Sequence, residues 1–143
     1  MATERRADVV WEGDLLHGSG TIVSNTSGAL PQLPVSWRSR AEDPEGRTSP
    51  EELIAAAHAS CFAMALSHEL AGAGHTAERL ETSATVTFQP GEGIKGSALT
   101  VVATVPGLSD DEFLAAADAA KDGCPVSSAL SVPITLDAQL ASS

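Results

Sequence analysis

Apolar and polar residues alternate most cleanly in two stretches of the chain. In 81–89, Thr82, Ala84, Val86 and Phe88 interleave with Ser83, Thr85 and Thr87; in 134–140, Ile134, Leu136, Ala138 and Leu140 interleave with Thr135, Asp137 and Gln139. A period of two puts one set on a covered face and the other on an open one, so both stretches predict half-buried strands. The β-branched run 97–105, set off from 81–89 by turn residues at 90–93, predicts the hairpin partner of that strand and hence a meander. Nearer the N-terminus, 7–11 and 19–23 predict a first hairpin that turns at Gly13 and Asp14. Turn chemistry at 25–28 leads to a third strand around Val35 and Trp37, which runs into a charged, loop-like segment at 38–47.

Helical signals govern the rest. Ser49 can cap a helix, Pro50 suits its first position, and Glu52 stands three residues after the cap; Gly72 and Gly74 supply the stop. Between 53 and 67 there is no Asp, Glu, Lys or Arg, so no face of this segment suits water, and a helix buried all round is expected. At about 100° per residue, Ile54, Ala57, His58, Met64, Ala65 and His68 fall on the side of Cys61, while Ala56, Ala59 and Ala63 form a small-residue side opposite. Ser109 and Glu112 repeat the capping pattern and predict a second helix at 110–122, with Phe113, Leu114, Ala117 and Ala120 toward the core. Gly123 ends it. Pro125 then suits the first position of a short helical turn, 126–130, which puts Cys124 at its N-terminus.

The pattern as a whole is α+β, and a length of 143 residues with 43% hydrophobic and 19% charged residues fits a single domain, 1–143. A net charge of −11 with only 8 Lys and Arg leaves no basic stripe, which argues against nucleic acid as a partner. The uncharged stretch 53–67 is short for a bilayer span and the N-terminus is polar, so a soluble, cytoplasmic protein with no membrane partner is expected. In that compartment a structural disulfide is uncommon, and the two cysteines call for a redox or metal explanation.

The candidates for chemistry are Cys61, Cys124 and the Arg and carboxylate groups before the first helix. A Cys on an apolar helix is commonly an inert small hydrophobe, His58 and His68 can be core histidines satisfied by hydrogen bonds, and Arg40 with Glu51 can be an ordinary surface pair. His58 and Cys61, at i and i+3, could also hold a metal with His68 and Cys124, although no CxxC or HExxH spacing is present. The missing CxxC also counts against a thioredoxin-like oxidoreductase. A non-enzymatic dimeric protein that binds a lipid-like ligand in an apolar pocket is the third reading left open by residue pattern alone.

The stretch PEELIAAAHASCFAMAL, with CPVSSAL sixty-three residues after its cysteine, resembles the osmotically inducible protein C (OsmC) family, sister of the organic hydroperoxide resistance (Ohr) proteins. The likeness covers most of the chain. It implies an OsmC-like α+β fold, with curved antiparallel sheets wrapped around central helices in an interlocked homodimer. It also implies a thiol-dependent peroxidase without metal or other cofactor that reduces organic hydroperoxides, and hydrogen peroxide less well. By the same resemblance Cys61 is the peroxide-attacking thiol, Cys124 the resolving one that closes a Cys61–Cys124 disulfide, and a dithiol, either a lipoyl-bearing protein or a small molecule, the reductant. The family also uses an Arg that contacts the reactive sulfur and a Glu that holds it. Glu51 matches the Glu; Arg40 matches the Arg best, with Arg38 the alternative. His58 and the run from Pro125 to Ser127 look like the OsmC branch, and Ile54, His58, Phe62 and Met64 are the expected walls of the substrate pocket.

This assignment has a physical rationale. Only a thiolate attacks a peroxide oxygen well, and an apolar site raises a thiol's pKa. A guanidinium reverses that shift and can donate to the oxygen on which charge develops. Glu51 and Cys61 are ten residues apart, about 15 Å along a straight helix, so something must fold back to bring Arg and thiol together. Two central helices packed antiparallel across a symmetric dimer would do so, and the small-residue side suits that packing. One point runs the other way: Cys124 at a helix N-terminus should have the lower pKa by local electrostatics.

Overall fold

The computed structural model describes residues 2–141. Its elements follow in the order β1 (Ala7–Glu12), β2 (Ser19–Asn25), β3 (Leu33–Val35), α1 (Trp37–Ala41), α2 (Pro50–Gly72), β4 (Arg79–Gln89), β5 (Gly93–Thr104), α3 (Asp110–Gly123), α4 (Pro125–Ala129) and β6 (Ile134–Leu140). The chain forms two compact units whose boundary falls between Leu53 and Ile54, within the first turn of α2.

In the first unit β1, β2 and β3 form an antiparallel sheet in that order. Its hairpin turns where Gly13 takes φ +95°, and the Asp14 carboxylate accepts from the His17 backbone N–H at 2.7 Å. Trp11 pairs across the sheet with Gly20, and its ring fills the space a Cβ there would need, 2.7 Å from Cε3.

Trp37 does not extend the third strand, and 38–47 is not all loop. Strand β3 stops at Val35, Ser36 caps α1, and Trp37 is the first helical residue. The cap is reciprocal: Ser36 Oγ accepts from the Ser39 N–H at 3.1 Å, and Ser39 Oγ accepts from the Ser36 N–H at 3.0 Å. A serine in the third position does the work usually given to Glu or Gln, which hides the capping box in the sequence. Ser39 also donates to the Thr48 carbonyl at 2.9 Å, and Thr48 N–H donates to the Pro34 carbonyl at 3.0 Å, so the segment that leads into α2 is tied back to α1 and β3.

The start and stop of α2 have the expected chemistry. Ser49 Oγ accepts from the Glu52 N–H at 3.1 Å, while the Glu52 carboxylate accepts from the Thr48 hydroxyl at 2.6 Å. At the other end Gly74 takes φ +88°, His75 N–H reaches the Leu70 carbonyl at 2.9 Å, and Gly74 N–H reaches the Ala71 carbonyl at 3.0 Å. That is a Schellman closure, for which a residue with no Cβ is preferred.

In the second unit the sheet order is β4-β5-β6. β4 and β5 form the expected antiparallel hairpin, pairing from Arg79 with Thr104 to Gln89 with Gly93. β6 joins the far edge of β5 in parallel, Ser97 opposite Ile134 and Ala103 opposite Leu140. Parallel neighbours need a crossover, and α3 with α4 provides it. The core is built from Phe62, Leu66 and Leu70 of α2, Leu99, Val101 and Ala103 of β5, and Phe113, Ala117 and Ala120 of α3, with Cys124 among them. Leu114 is not part of it: 47% exposed, it sits a quarter turn from the buried line Phe113, Ala117, Ala120, which runs at i, i+4 and i+7.

Helix α2 departs from expectation in two respects. It has 23 residues and a window of mean hydropathy 1.2, so by length and composition alone it could cross a membrane, contrary to the estimate from the uncharged stretch. Its large residues nevertheless pack in a protein core, and its buried His58 bonds to side chains of other elements, which is the behaviour of a core helix. Nor is it buried all round within one chain. Ala56, Ala57, Ser60, Met64, Ser67, His68 and Ala71 are exposed and form an uncharged strip.

Candidate active site

Both cysteines are free thiols in the second unit. Cys61 is half-buried on α2, where the i−3 and i+1 positions are the fully buried His58 and Phe62; Cys124 is wholly buried between α3 and α4. The two thiols are close enough for each to shift the ionisation of the other. Two elements 63 residues apart in sequence therefore bring together the two groups that the resemblance pairs.

Their surroundings treat them differently. Burial pushes the Cys61 thiol up, and the neighbouring Cys124 pushes it further, against the Val126 backbone N–H, which favours the anion. Burial also pushes Cys124 up, but it is outweighed by the Ser127 N–H, the Cys61 thiol, the Ser127 hydroxyl and the Val126 N–H, and the net direction is down. Sγ of Cys124 makes no capping bond of ordinary geometry, yet the N–H groups at the start of α4 face it. Between the two, Cys124 is the more readily ionised, as its place before Pro125 suggested.

His58 is buried, and each ring nitrogen meets a serine: Nδ1 lies 2.7 Å from Ser97 Oγ on β5 and Nε2 lies 2.8 Å from Ser127 Oγ on α4. Burial pushes its pKa down, so the ring is neutral near pH 7. With both nitrogens engaged, His58 has none to offer a metal, and among the described residues no three His, Cys, Asp or Glu side chains are grouped to hold one. Ser97 and Ser127 are the site residues that sequence reading missed. A serine at an inward position of β5, among Leu99, Val101 and Ala103, was the available signal for the first. For the second it was the position three residues after Cys124, where the first helical turn brings a side chain back over the cap.

Arg40 and Glu51 belong to the first unit. Arg40 Nε donates to Glu51 Oε1 at 2.6 Å and to Oε2 at 3.2 Å; the Glu51 side chain is 7% exposed and that of Arg40 32%. Arg38 faces other partners, Glu45 at 3.0 Å and Glu42 at 3.7 Å, on an open surface. The arginine that meets Glu51 is thus Arg40.

The four expected pocket residues do not share one environment in the single chain. Phe62 and His58 are fully buried, Ile54 is half-buried, and Met64 is 72% exposed. Phe62 and Met64 are about 200° apart around α2 and cannot form one wall of a recess in the same chain.

Comparison with known proteins gives a consistent picture. Residues 42–138 match the family model described as OsmC-like protein. Over 145 aligned residues the chain is 44% identical to peroxiredoxin OsmC of Escherichia coli K12, covering 99% of this chain and all of that one. Among solved structures, an OsmC-like protein from Mycoplasma pneumoniae superposes with a TM-score of 0.73 at 16% identity, covering 99% and 100% of the two chains. The organic hydroperoxide resistance protein OhrB of Bacillus subtilis does so with 0.62 at 24% identity, covering 95% and 98%. At these identities the two structures speak for the fold alone.

Proposed function

Since the chain belongs to the OsmC-like protein family, we propose that the thiol peroxidase activity of this family is carried here by Cys61 and Cys124, with organic hydroperoxides as preferred substrates. The observation that carries the reading is that the two free thiols, on α2 and at the start of α4, belong to one packed cluster and shift each other's ionisation. The Cys61 thiolate attacks the distal peroxide oxygen; the O–O bond breaks, an alcohol leaves after taking a proton, and Cys61 becomes a sulfenic acid. Cys124 then forms the S–S bond to Cys61, the S–O bond breaks, and water leaves. The adjacent second thiol shortens the life of the sulfenic acid and so limits over-oxidation.

The first step needs help, because burial holds the Cys61 thiol above its ordinary value. By family resemblance, Arg40 is the group that stabilises the sulfur anion and the departing alkoxide, and Glu51 holds Arg40 in place. Arg38, engaged with Glu45, is not needed for this role.

A homodimer accounts for the uncharged strip of α2. An exposed helical face with no Asp, Glu, Lys or Arg from Ala56 to His68 calls for a cover, and a second copy packed antiparallel offers a self-complementary one. Met64, exposed in one chain, would then be buried. The chain acts as a single soluble, cytoplasmic domain, recycled by a dithiol from a lipoyl-bearing protein or a small molecule.

The test is turnover by purified protein, comparing cumene hydroperoxide with hydrogen peroxide, each with dihydrolipoamide or thioredoxin as reductant. An alkyl substituent gains roughly 0.8 kcal/mol per buried methylene, so kcat/KM should favour the organic peroxide at least tenfold. Equal values would mean that apolar walls play no part, and no consumption of either peroxide would end the peroxidase reading.

A further inference from the structure

Building on the reading of Cys124 as the resolving thiol, we propose that His58 is a positioning residue for Cys124, acting through Ser127. His58 bonds to Ser97 at 2.7 Å and to Ser127 at 2.8 Å, and Ser127 is the third residue of the helical turn that Cys124 opens, so the ring holds the Ser127 hydroxyl on the side of the turn where Cys124 lies.

The direction of this chain of bonds follows from counting protons. To favour the Cys124 anion the Ser127 hydroxyl must point its hydrogen at Sγ, which leaves its oxygen to accept. His58 Nε2, 2.8 Å from that oxygen, must then carry the hydrogen and donate. A neutral imidazole has one donor and one acceptor, so Nδ1 accepts, and the Ser97 hydroxyl at 2.7 Å donates to it. Each of the three side chains has its partner, and among the described residues no buried side-chain nitrogen or oxygen is left unpaired. Burial of the imidazole keeps it neutral and so preserves this one-way order.

The polar groups around Cys124 leave little else to set its ionisation. From α2 come Cys61 and, one step removed, His58; from β5 the inward polar side chain of the chain is Ser97, which does not titrate. From the end of α3 comes Lys121, paired with Asp122 at 3.7 Å, and α4 carries no titratable side chain. In the resolving step the Cys124 electron pair makes the new S–S bond, the S–O bond of the Cys61 sulfenic acid breaks, and the hydroxide leaving it takes the proton Cys124 has lost. The rate of closure scales with the fraction of Cys124 present as thiolate. A donor hydroxyl held on the sulfur raises that fraction near pH 7.

The experiment reads Cys124 without any peroxide. In a Cys61→Ser background it is the remaining thiol, and its rate of alkylation by iodoacetamide is followed against pH by mass spectrometry. Ser127→Ala should slow alkylation near pH 7 about tenfold by moving the ionisation upward, and Ser127→Thr, which keeps the hydroxyl, should restore the rate. His58→Phe should slow it about as much in the Ser127 protein and add less than about twofold in the Ser127→Ala protein, since its effect passes through that hydroxyl. No slowing in His58→Phe, or an equal slowing in both backgrounds, overturns the proposal. If His58→Phe does not fold, Ser97→Ala takes its place: slowing of about threefold or more that disappears in Ser127→Ala supports the chain, and unchanged alkylation overturns it. Should the protein fail to reduce peroxides at all, these alkylation rates still decide the role of His58.

Discussion

Arg40 Nε donates to Glu51 Oε1 at 2.6 Å, joining a five-residue helix to the first turn of the long one. Glu51 is nearly buried and Arg40 about one-third exposed, so the pair lies between a solvent-screened contact and a buried one. Removing the carboxylate with Glu51→Ala should cost about 2 kcal/mol of stability, between the values typical of exposed and buried pairs. Urea denaturation of the variant measures it.

The role assigned to Arg40 also gives a pH dependence. Burial already holds the Cys61 thiol high, so without the guanidinium the thiolate near pH 7 becomes scarce. Arg40→Met should lower kcat/KM for cumene hydroperoxide near pH 7 by about 10²-fold or more. Raising the pH above about 9 should recover part of the loss, because titration then supplies the thiolate that the missing cation no longer stabilises. Initial rates between pH 6.5 and pH 10 follow both effects, and Arg38→Met serves as the control that should change little.

Mixing inactive chains tests whether sites are shared across the proposed dimer. A Cys61→Ser chain and a Glu51→Ala chain, refolded together, should regain activity up to about half per heterodimer if Glu51 of one chain serves Cys61 of the other. Self-contained sites would leave the mixture inactive. A charge in the exposed strip, Met64→Glu, should weaken assembly and shift the sedimentation profile toward monomer.

Buried, neutral His58 should make stability depend on pH. Its folded pKa lies below the ordinary value near 6.5, so the unfolded chain binds the proton more readily. The stability that His58 contributes is therefore complete above about pH 6.5 and is lost as pH falls from there through the folded pKa. Thermal midpoints measured from pH 7.5 down to pH 5 should fall, and His58→Gln should flatten that slope. An unchanged slope would mean that other groups cause the decline.

Much of the architecture is legible in short-range pattern. The alternation in 81–89 and 134–140, the Ser49–Pro50 start and the Gly74 stop reappear as β4, β6 and the two ends of α2. Helix α1 was hidden because Ser36 and Ser39 cap it in place of the usual Ser and Glu, and because Trp37 reads equally well as the end of a strand. The parallel seat of β6 on β5 was hidden because alternation gives a strand its faces but not its neighbour. The two cysteines of the second unit and the Arg40–Glu51 pair of the first were each visible in the sequence through resemblance. The His58 chain was not, since its hydroxyls come from β5 and α4, 39 and 69 residues away along the chain.

Which thiol meets the peroxide first is the central question, because ionisation alone favours Cys124 while the family resemblance assigns the attack to Cys61. One equivalent of cumene hydroperoxide is added to the wild type, Cys61→Ser and Cys124→Ser, and each intact mass is read within seconds. The wild type should lose two hydrogens as the Cys61–Cys124 disulfide forms. Cys124→Ser should gain one oxygen on Cys61, trapped with dimedone, and Cys61→Ser should remain unmodified. An oxygen gained on Cys124 in Cys61→Ser, with Cys61 unmodified in Cys124→Ser, would contradict the account and reverse the two roles.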